Sequence, residues 1–172
     1  MKSINGYFIA QSLIHVAKKV EENKDYLCEL DGEVGDGDHG VSMTIGMRAV
    51  ARAMKALDES VLPSEVFQTA AESYADDVGA TIGPLYEAAF AAAATAATNK
   101  VELNSISDWA ELYEAMATSI QLLGKAELGD KTMLDSFFPA VEHIKSLSTR
   151  GGSLSDALHS TAKAALDAAI ST

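Results

Sequence analysis

Apolar residues recur at intervals of three or four along most of this chain, which is the spacing of one face of an α-helix. The pattern predicts seven helices that are separated by breaks containing glycine or proline. Their expected extents are about 7–22, from just after Asp38 to 57, from Pro63 to a break at 78–83, from there to 98, from Ser105 or Ser107 to 123, from about 131 to 150, and from Ser153 onward.

The same pattern argues against β-structure. No stretch alternates apolar and polar residues as a half-buried strand does, and good helix formers dominate the composition. We therefore expect an all-α, up-and-down antiparallel helical barrel or bundle of about seven to eight helices, with residues 1–172 forming a single domain. The glycine-bearing breaks at 31–40, 78–83 and 124–131 are separated by two helices each time, so in such a bundle they lie at the same end.

Charge narrows the range of partners. The chain has 25 acidic and 13 basic residues, a formal net charge of −12, which opposes binding to nucleic acid or to an anionic lipid surface. A single cysteine excludes an internal disulfide, and the longest mostly apolar run, 88–97, is too short to span a bilayer. Because the first nineteen residues also lack the pattern of a signal peptide, we expect a cytoplasmic protein with no nucleic-acid and no membrane partner.

The segment 30–40, L-D-G-E-V-G-D-G-D-H-G, concentrates oxygen ligands more than the rest of the chain does. Carboxylates crowded in this way repel one another unless a cation lies between them, and oxygen ligands favour Mg²⁺ or Ca²⁺ over Zn²⁺. We predict that Asp31, Asp36 and Asp38 bind magnesium. The alternative is a solvated acidic turn in which Asp38 simply caps the next helix.

The spacing of this segment excludes an EF-hand. Counted from Asp36, the sixth residue is Val41 where glycine is needed, and the twelfth is Met47 where glutamate is needed. His39 and Gly40 instead open the next helix, and a helix N-terminus that follows glycines is suited to binding phosphate.

Two further glycine turns occur at 79–86 and 124–133. Each is either a second phosphate-facing turn or an ordinary connection between helices. The segment 124–133 is not a Walker A loop, because Asp130 separates Gly129 from Lys131.

Three segments resemble, in order and spacing, the motifs of the L subunit (or L domain) of dihydroxyacetone kinases. They are L-D-G-E-V-G-D-G-D-H-G-V-S at 30–42, G-A-T-I-G-P-L-Y-E at 79–87 and G-K-A-E-L-G-D-K-T-M at 124–133. The resemblance implies a barrel of eight antiparallel helices with ADP or ATP bound across one end. It also implies that the three aspartates hold two Mg²⁺ ions on the diphosphate. The nucleotide contacts that it implies are His39, Gly40, Val41, Ser42, Thr81, Ile82, Gly124 and Met133.

The chain departs from the family pattern in places. Ser42 stands where the family has asparagine, Ile82 where it has serine, and Leu128 where it has proline. The first two changes remove polar side chains next to the expected phosphates. The family's G-R-A-S-Y-L-G and D-P-G-A segments, and the helix after them, do not occur before Thr172.

The resemblance implies a subunit that donates a phosphoryl group to dihydroxyacetone held on a K subunit. In one branch of the family, which we favour, an M subunit of the phosphoenolpyruvate phosphotransferase system recharges the bound ADP; in the other, ATP exchanges. A homodimer is compatible with the resemblance. The alternatives are an L-type domain that serves another small keto-sugar, a nucleotide-sensing regulatory module without catalysis, and an isoprenoid-type diphosphate enzyme. The last is disfavoured because its aspartates lie on helices as D-D-x-x-D.

Overall fold

The computed structural model describes residues 3–78 and 82–172, and all its regular structure in these ranges is helical apart from one isolated bridge between Asn5 and Glu102. Eight helices are present in the described residues. They are α1 (Gly6–Glu22), α2 (Lys24–Gly32), α3 (His39–Met54), α4 (Pro63–Asp77), α5 (Ile82–Ala96), α6 (Ile106–Gly124), α7 (Leu134–Arg150) and α8 (Leu154–Ser171). The prediction of an all-α bundle is confirmed.

Seven long helices form an up-and-down row in which each packs on the next, in the order α1, α3, α4, α5, α6, α7, α8. Helix α1 runs antiparallel to α3. Glu21 near its end pairs with Arg48 of α3, whereas Gly6 at its start lies against the backbone of Val61 and Leu62, in the connection from α3 to α4. Helix α8 packs on α7 and α6, and within the described residues it makes no contact with α1. The described part of the bundle is therefore open between its first and last helices.

The sequence does not predict the short helix α2: it predicts that the acidic loop follows shortly after α1. Helix α2 has no buried residue, so the apolar periodicity that revealed the other helices is missing from it. It contacts α3 closely because Gly40 has no side chain: a Cβ there would overlap the carbonyl oxygen of Lys24. As a consequence Asp31, expected in a loop, lies in the last turn of a helix.

The main hydrophobic core runs along the inner faces of the long helices. Tyr74 of α4 is at its centre, stacked on Tyr86 with ring centroids 5.1 Å apart, and its hydroxyl donates to the sulfur of Met43 at 3.3 Å. Burial raises the pKa of Tyr74 and of Tyr86, so both phenols stay neutral. Among the helices described, none combines the length and the apolar character that crossing a membrane requires.

Three connections leave the helices at the same end of the row, as expected from the two-helix spacing. We call them the first loop (33–38, before α3), the second loop (78–81, before α5) and the third loop (125–133, before α7). Val78 lies against Gly46 of α3 and against Gly83 of α5, and Gly124 lies beside Leu85 of α5. The helix ends that border the three loops therefore lie on the same side of the row, which we call the loop end of the bundle.

Candidate functional site

The first loop brings together the three aspartates that the sequence singled out. One carboxylate oxygen from each of Asp31, Asp36 and Asp38 lies within 4.8 Å of the other two. Asp31 is half-buried, while Asp36 and Asp38 are exposed. In the described ranges, no other three or more histidine, cysteine or acidic side chains are grouped closely enough to share an ion. Glu33, in the same loop, stands apart from the cluster.

Asp31 organises the backbone around the cluster. Its Oδ2 accepts hydrogen bonds from the backbone N–H groups of Asp38 (3.1 Å) and His39 (3.3 Å), and its carbonyl oxygen accepts from Val34 and Gly35. The carboxylate thereby caps α3 from across the loop. Asp38 occupies the N-cap position, as predicted, yet its side chain makes no capping hydrogen bond. The structure thus assigns the capping role to Asp31, which leaves the Asp38 carboxylate with the cluster.

Two glycines make this geometry possible. A Cβ at Gly35 would lie 2.6 Å from Oδ1 of Asp31, so any side chain there would displace the Asp31 carboxylate from its present position. Gly37 has φ +75°, a left-handed conformation that non-glycine residues rarely adopt, and it turns the chain between Asp36 and Asp38.

The predicted phosphate-contacting segment forms the first turn of α3. His39 is half-buried, Gly40 is buried and Val41 is exposed, at 40 %. The N–H groups of Val41 and Ser42 donate to the carbonyl oxygen of Asp38 at 2.9 and 3.0 Å. Since the N–H of His39 donates to Asp31, three of the four N–H groups in this segment already have an acceptor within the protein.

The second loop lies only partly within the described residues. Thr81, one of the predicted nucleotide contacts, is outside them. Ile82 is the first residue of α5, is half-buried and packs partly against the main core. The next residue, Gly83, packs so closely on Val78 that a Cβ at this position would overlap the carbonyl oxygen of Val78.

The third loop has its own anchor. A small apolar cluster, separate from the main core, is formed by Ala89 of α5, Ile120 of α6 and Leu134 of α7. Met133, a predicted nucleotide contact, packs against this cluster, and Gly124 is exposed at the end of α6. The structure therefore brings Gly124 and Met133 to the start of α5.

A residue that the sequence analysis missed holds this loop in place. Asp135, in the first turn of α7, accepts the N–H of Gly129 on Oδ1 (2.6 Å) and the N–H of Thr132 on Oδ2 (2.8 Å). The Thr132 and Gly129 hydrogen bonds lower the pKa of Asp135 below its usual range. An aspartate in the first turn of a helix often binds backbone N–H groups of the preceding loop. The sequence predicts the start of α7 at about Lys131, which puts Asp135 beyond the first turn and gives no indication of this role.

A carboxylate cluster at a helix N-terminus, beside two glycine-bearing connections, characterises this all-α bundle. The chain belongs to the DAK2 domain family, whose model matches residues 33–172. It is 33% identical over 173 residues to the "PEP-dependent dihydroxyacetone kinase 2, ADP-binding subunit DhaL" of Listeria innocua, an alignment that covers 95% of this chain and 78% of that protein.

A second relative is more similar over a shorter stretch. The "PTS-dependent dihydroxyacetone kinase, ADP-binding subunit DhaL" of Lactococcus lactis is 43% identical over 120 residues, or 69% of this chain and 58% of that protein. Among solved structures, the dihydroxyacetone kinase of C. freundii in complex with AMP-PNP and Mg²⁺ matches with a TM-score of 0.70 at 21% identity. That match covers all of this chain but 30% of the longer protein, and at this identity it supports the fold alone.

Proposed function

We propose that this chain, acting as one nucleotide-binding domain, is the ADP/ATP-binding, phosphoryl-donating subunit of a dihydroxyacetone kinase. The observation that carries the proposal is the approach of three carboxylates to within 4.8 Å of one another at the N-terminus of α3. Membership of the DAK2 family supports the same conclusion, as do the printed names of the Listeria and Lactococcus relatives.

The donor set fits magnesium. Asp31, Asp36 and Asp38 offer only oxygen atoms, two of them on exposed side chains that leave room for further oxygen ligands. We propose that they hold Mg²⁺, two ions when nucleotide is bound, and that the ions neutralise phosphate charge. A chain with net charge −12 needs this neutralisation, because its own side chains would otherwise repel a diphosphate.

The remaining proposed nucleotide contacts lie at the loop end of the bundle. We propose that the first turn of α3, His39–Ser42, lies along the phosphates, where the N-terminal end of the helix dipole favours negative charge. Thr81 and Ile82 would lie on the second side of the nucleotide. Gly124 and Met133 would lie next to the adenine. The apolar cluster on which Met133 packs would give the adenine an apolar surface.

The arrangement suits phosphoryl donation better than a complete reaction. Phosphoryl transfer depends on positioning and on charge neutralisation more than on covalent chemistry. No general base is required in this chain if the acceptor hydroxyl is activated elsewhere. We therefore propose that dihydroxyacetone is held on a K subunit, and that a phosphotransferase-system M subunit recharges ADP in place, in the cytoplasm.

Native mass spectrometry of the purified chain tests the binding proposal directly. We expect ADP to be retained together with Mg²⁺, and to be lost when a chelator removes the metal. A protein that binds neither ADP nor ATP in millimolar Mg²⁺ would refute the proposal.

A separate assay tests the partners. Labelled phosphoenolpyruvate, candidate M and K subunits and dihydroxyacetone are mixed with the chain, and labelled sugar phosphate is measured. We expect label transfer to need this chain. Transfer from ATP alone, without an M subunit, would instead assign the chain to the ATP-exchanging branch.

A further inference from the structure

The third loop is exposed for most of its length, and its backbone contains several residues in sparsely populated conformations. Lys125 and Lys131 both have φ +59°, a left-handed conformation that is unfavourable for lysine, and Gly129 has φ +97°. At Lys125 this is the common left-handed cap at the end of α6, whereas Lys131 lies within the loop, where no helix end accounts for it. Residues kept in sparsely populated conformations cluster where a binding or catalytic surface has to be pre-organised.

Side chains supply the restraint. The amide of Gln121 donates to the carbonyl oxygen of Ala126 at 3.4 Å, and Oδ2 of Asp130 accepts the N–H of Glu127 at 2.8 Å. These two contacts fix only the first half of the loop. The second half, up to Met133, is held by Asp135, whose two carboxylate oxygens bind the N–H groups of residues three positions apart.

We infer that Asp135 is a positioning residue for the nucleotide: it holds the third loop in its binding conformation without contacting the ligand. This inference rests on the proposed function, and it assigns a role to a residue outside the nucleotide contacts expected from the sequence. The carboxylate suits the task for a second reason. It lies in the first turn of α7, where the helix dipole favours a negative charge, so its ionised form is stabilised in place.

Pre-organisation predicts an effect on affinity. When a loop is already ordered, binding does not have to supply the free energy of ordering it. Replacing Asp135 by asparagine keeps one acceptor oxygen but removes the charge and the second acceptor, so the two N–H groups can no longer both be held. The nucleotide would then have to order residues 129–133 on binding.

The chain offers a matched control at the far end of the bundle. Asp108, in the first turn of α6, also uses its carboxylate to hold backbone and side-chain groups: Oδ2 accepts from Ser105 N (3.0 Å) and from Ser105 Oγ (2.6 Å). Its Oδ1 also pairs with the ammonium group of Lys100 at 2.8 Å. Asp108→Asn therefore removes a first-turn carboxylate with at least as many contacts, without touching the loop end.

The experiment compares ADP binding in MgCl₂ by calorimetry for the full-length wild type, Asp135→Asn and Asp108→Asn, below the unfolding transition of each. We expect Asp135→Asn to weaken ADP by about tenfold, with the same dependence on Mg²⁺ concentration, and Asp108→Asn to bind as the wild type does. Amide exchange at Gly129 and Thr132, followed by NMR, should accelerate in Asp135→Asn alone.

The outcomes separate the inference from the function on which it rests. Unchanged ADP affinity in Asp135→Asn, or an equal loss in Asp108→Asn, overturns the positioning role while the binding function stands. A wild-type protein that shows no Mg²⁺-dependent ADP binding overturns both.

Discussion

The first and third loops lie at the same end of the bundle and are built in opposite ways. The first loop follows a helix with no buried residue and is ordered by polar contacts to Asp31, which also belongs to the carboxylate cluster. The third loop is fixed on an apolar cluster through Leu134, and the carboxylate that orders it, Asp135, lies outside the cluster of acidic side chains. In the first loop, one residue, Asp31, both orders the backbone and belongs to the candidate metal site. In the third loop, the residue that orders the backbone, Asp135, is not a candidate ligand.

This difference indicates how each loop responds to a ligand. Three carboxylates within 4.8 Å of one another repel, so the first loop is expected to tighten when a cation enters. The third loop already has hydrogen bonds to Asp130 and Asp135, and apolar contacts through Met133, before any ligand arrives. We therefore expect the proposed metal-binding loop to adjust and the loop proposed to lie next to the adenine to remain fixed.

Removing the apolar anchor of the third loop should have the largest effect. Leu134 is 1% exposed, and Leu134→Ala is expected to lower the free energy of unfolding by about 2–5 kcal/mol, measured by urea denaturation. Leu128→Ala is the control, since Leu128 lies in the same loop but is 61% exposed. If the loops are independent, Mg²⁺ still raises the thermal midpoint of folded Leu134→Ala; loss of that response would contradict their independence.

Removing a candidate metal ligand from the first loop should weaken ADP binding while leaving stability unchanged. Asp36→Asn is expected to weaken ADP binding in Mg²⁺ by at least about a hundredfold, without lowering the thermal midpoint, because it relieves repulsion within the cluster. Calorimetry and circular dichroism measure the two effects. Asp25→Asn removes the same charge from the exposed start of α2 and should bind ADP normally. Unchanged ADP binding in Asp36→Asn would refute the metal assignment.

The contact between α2 and α3 links the first loop to the bundle. A Cβ at Gly40 would overlap the carbonyl oxygen of Lys24, so Gly40→Ala should displace α2 and cost about 1–3 kcal/mol of stability. At Gly32, by contrast, the nearest heavy atom to a Cβ would be the Cα of Gly37 at 3.8 Å, and Gly32→Ala should be tolerated. Equal unfolding free energies for the two variants, measured by denaturant titration, would show that the close contact does not position α2.

The smallest effect concerns pH and the third loop. Asp135 has a lower pKa in the folded protein than in the unfolded chain, so its stabilising contribution is complete above the unfolded-state pKa of about 3.9 and is lost as pH falls through the folded-state pKa. The difference in thermal midpoint between wild type and Asp135→Asn should therefore be constant near neutral pH and disappear in acid. A difference that persists unchanged at pH 3 would mean that the carboxylate charge is not its cause.

Much of the fold could be predicted from the sequence because seven helices bury a regular apolar stripe. The eighth, α2, buries nothing and left no periodic signal, so Asp31 was expected in a loop. The sequence predicts the start of α7 at about Lys131, three residues before the observed start, because the polar residues before Leu134 are compatible with a first helical turn. The structure instead uses them in the third loop, held by Asp135.

In the candidate site, too, some features could be predicted from the sequence and others could not. The grouping of Asp31, Asp36 and Asp38 could be predicted because eight residues of chain, rich in glycine, contain them all. The capping of α3 by Asp31 could not, because it depends on the three-dimensional path of the loop between Gly32 and Asp38. The approach of Gly124 to Leu85 likewise depends on how α5 and α6 pack.

The neighbour-to-neighbour packing of the long helices has a consequence for the order of folding. Contacts between helices adjacent in the chain close short loops, so the entropy lost in forming each pair is small and folding is expected to be fast. The aspartate cluster needs only α2 and α3, and it can form as soon as that pair does. The complete loop end needs every helix from α3 to α7, and it is therefore expected to be assembled among the last parts of the molecule.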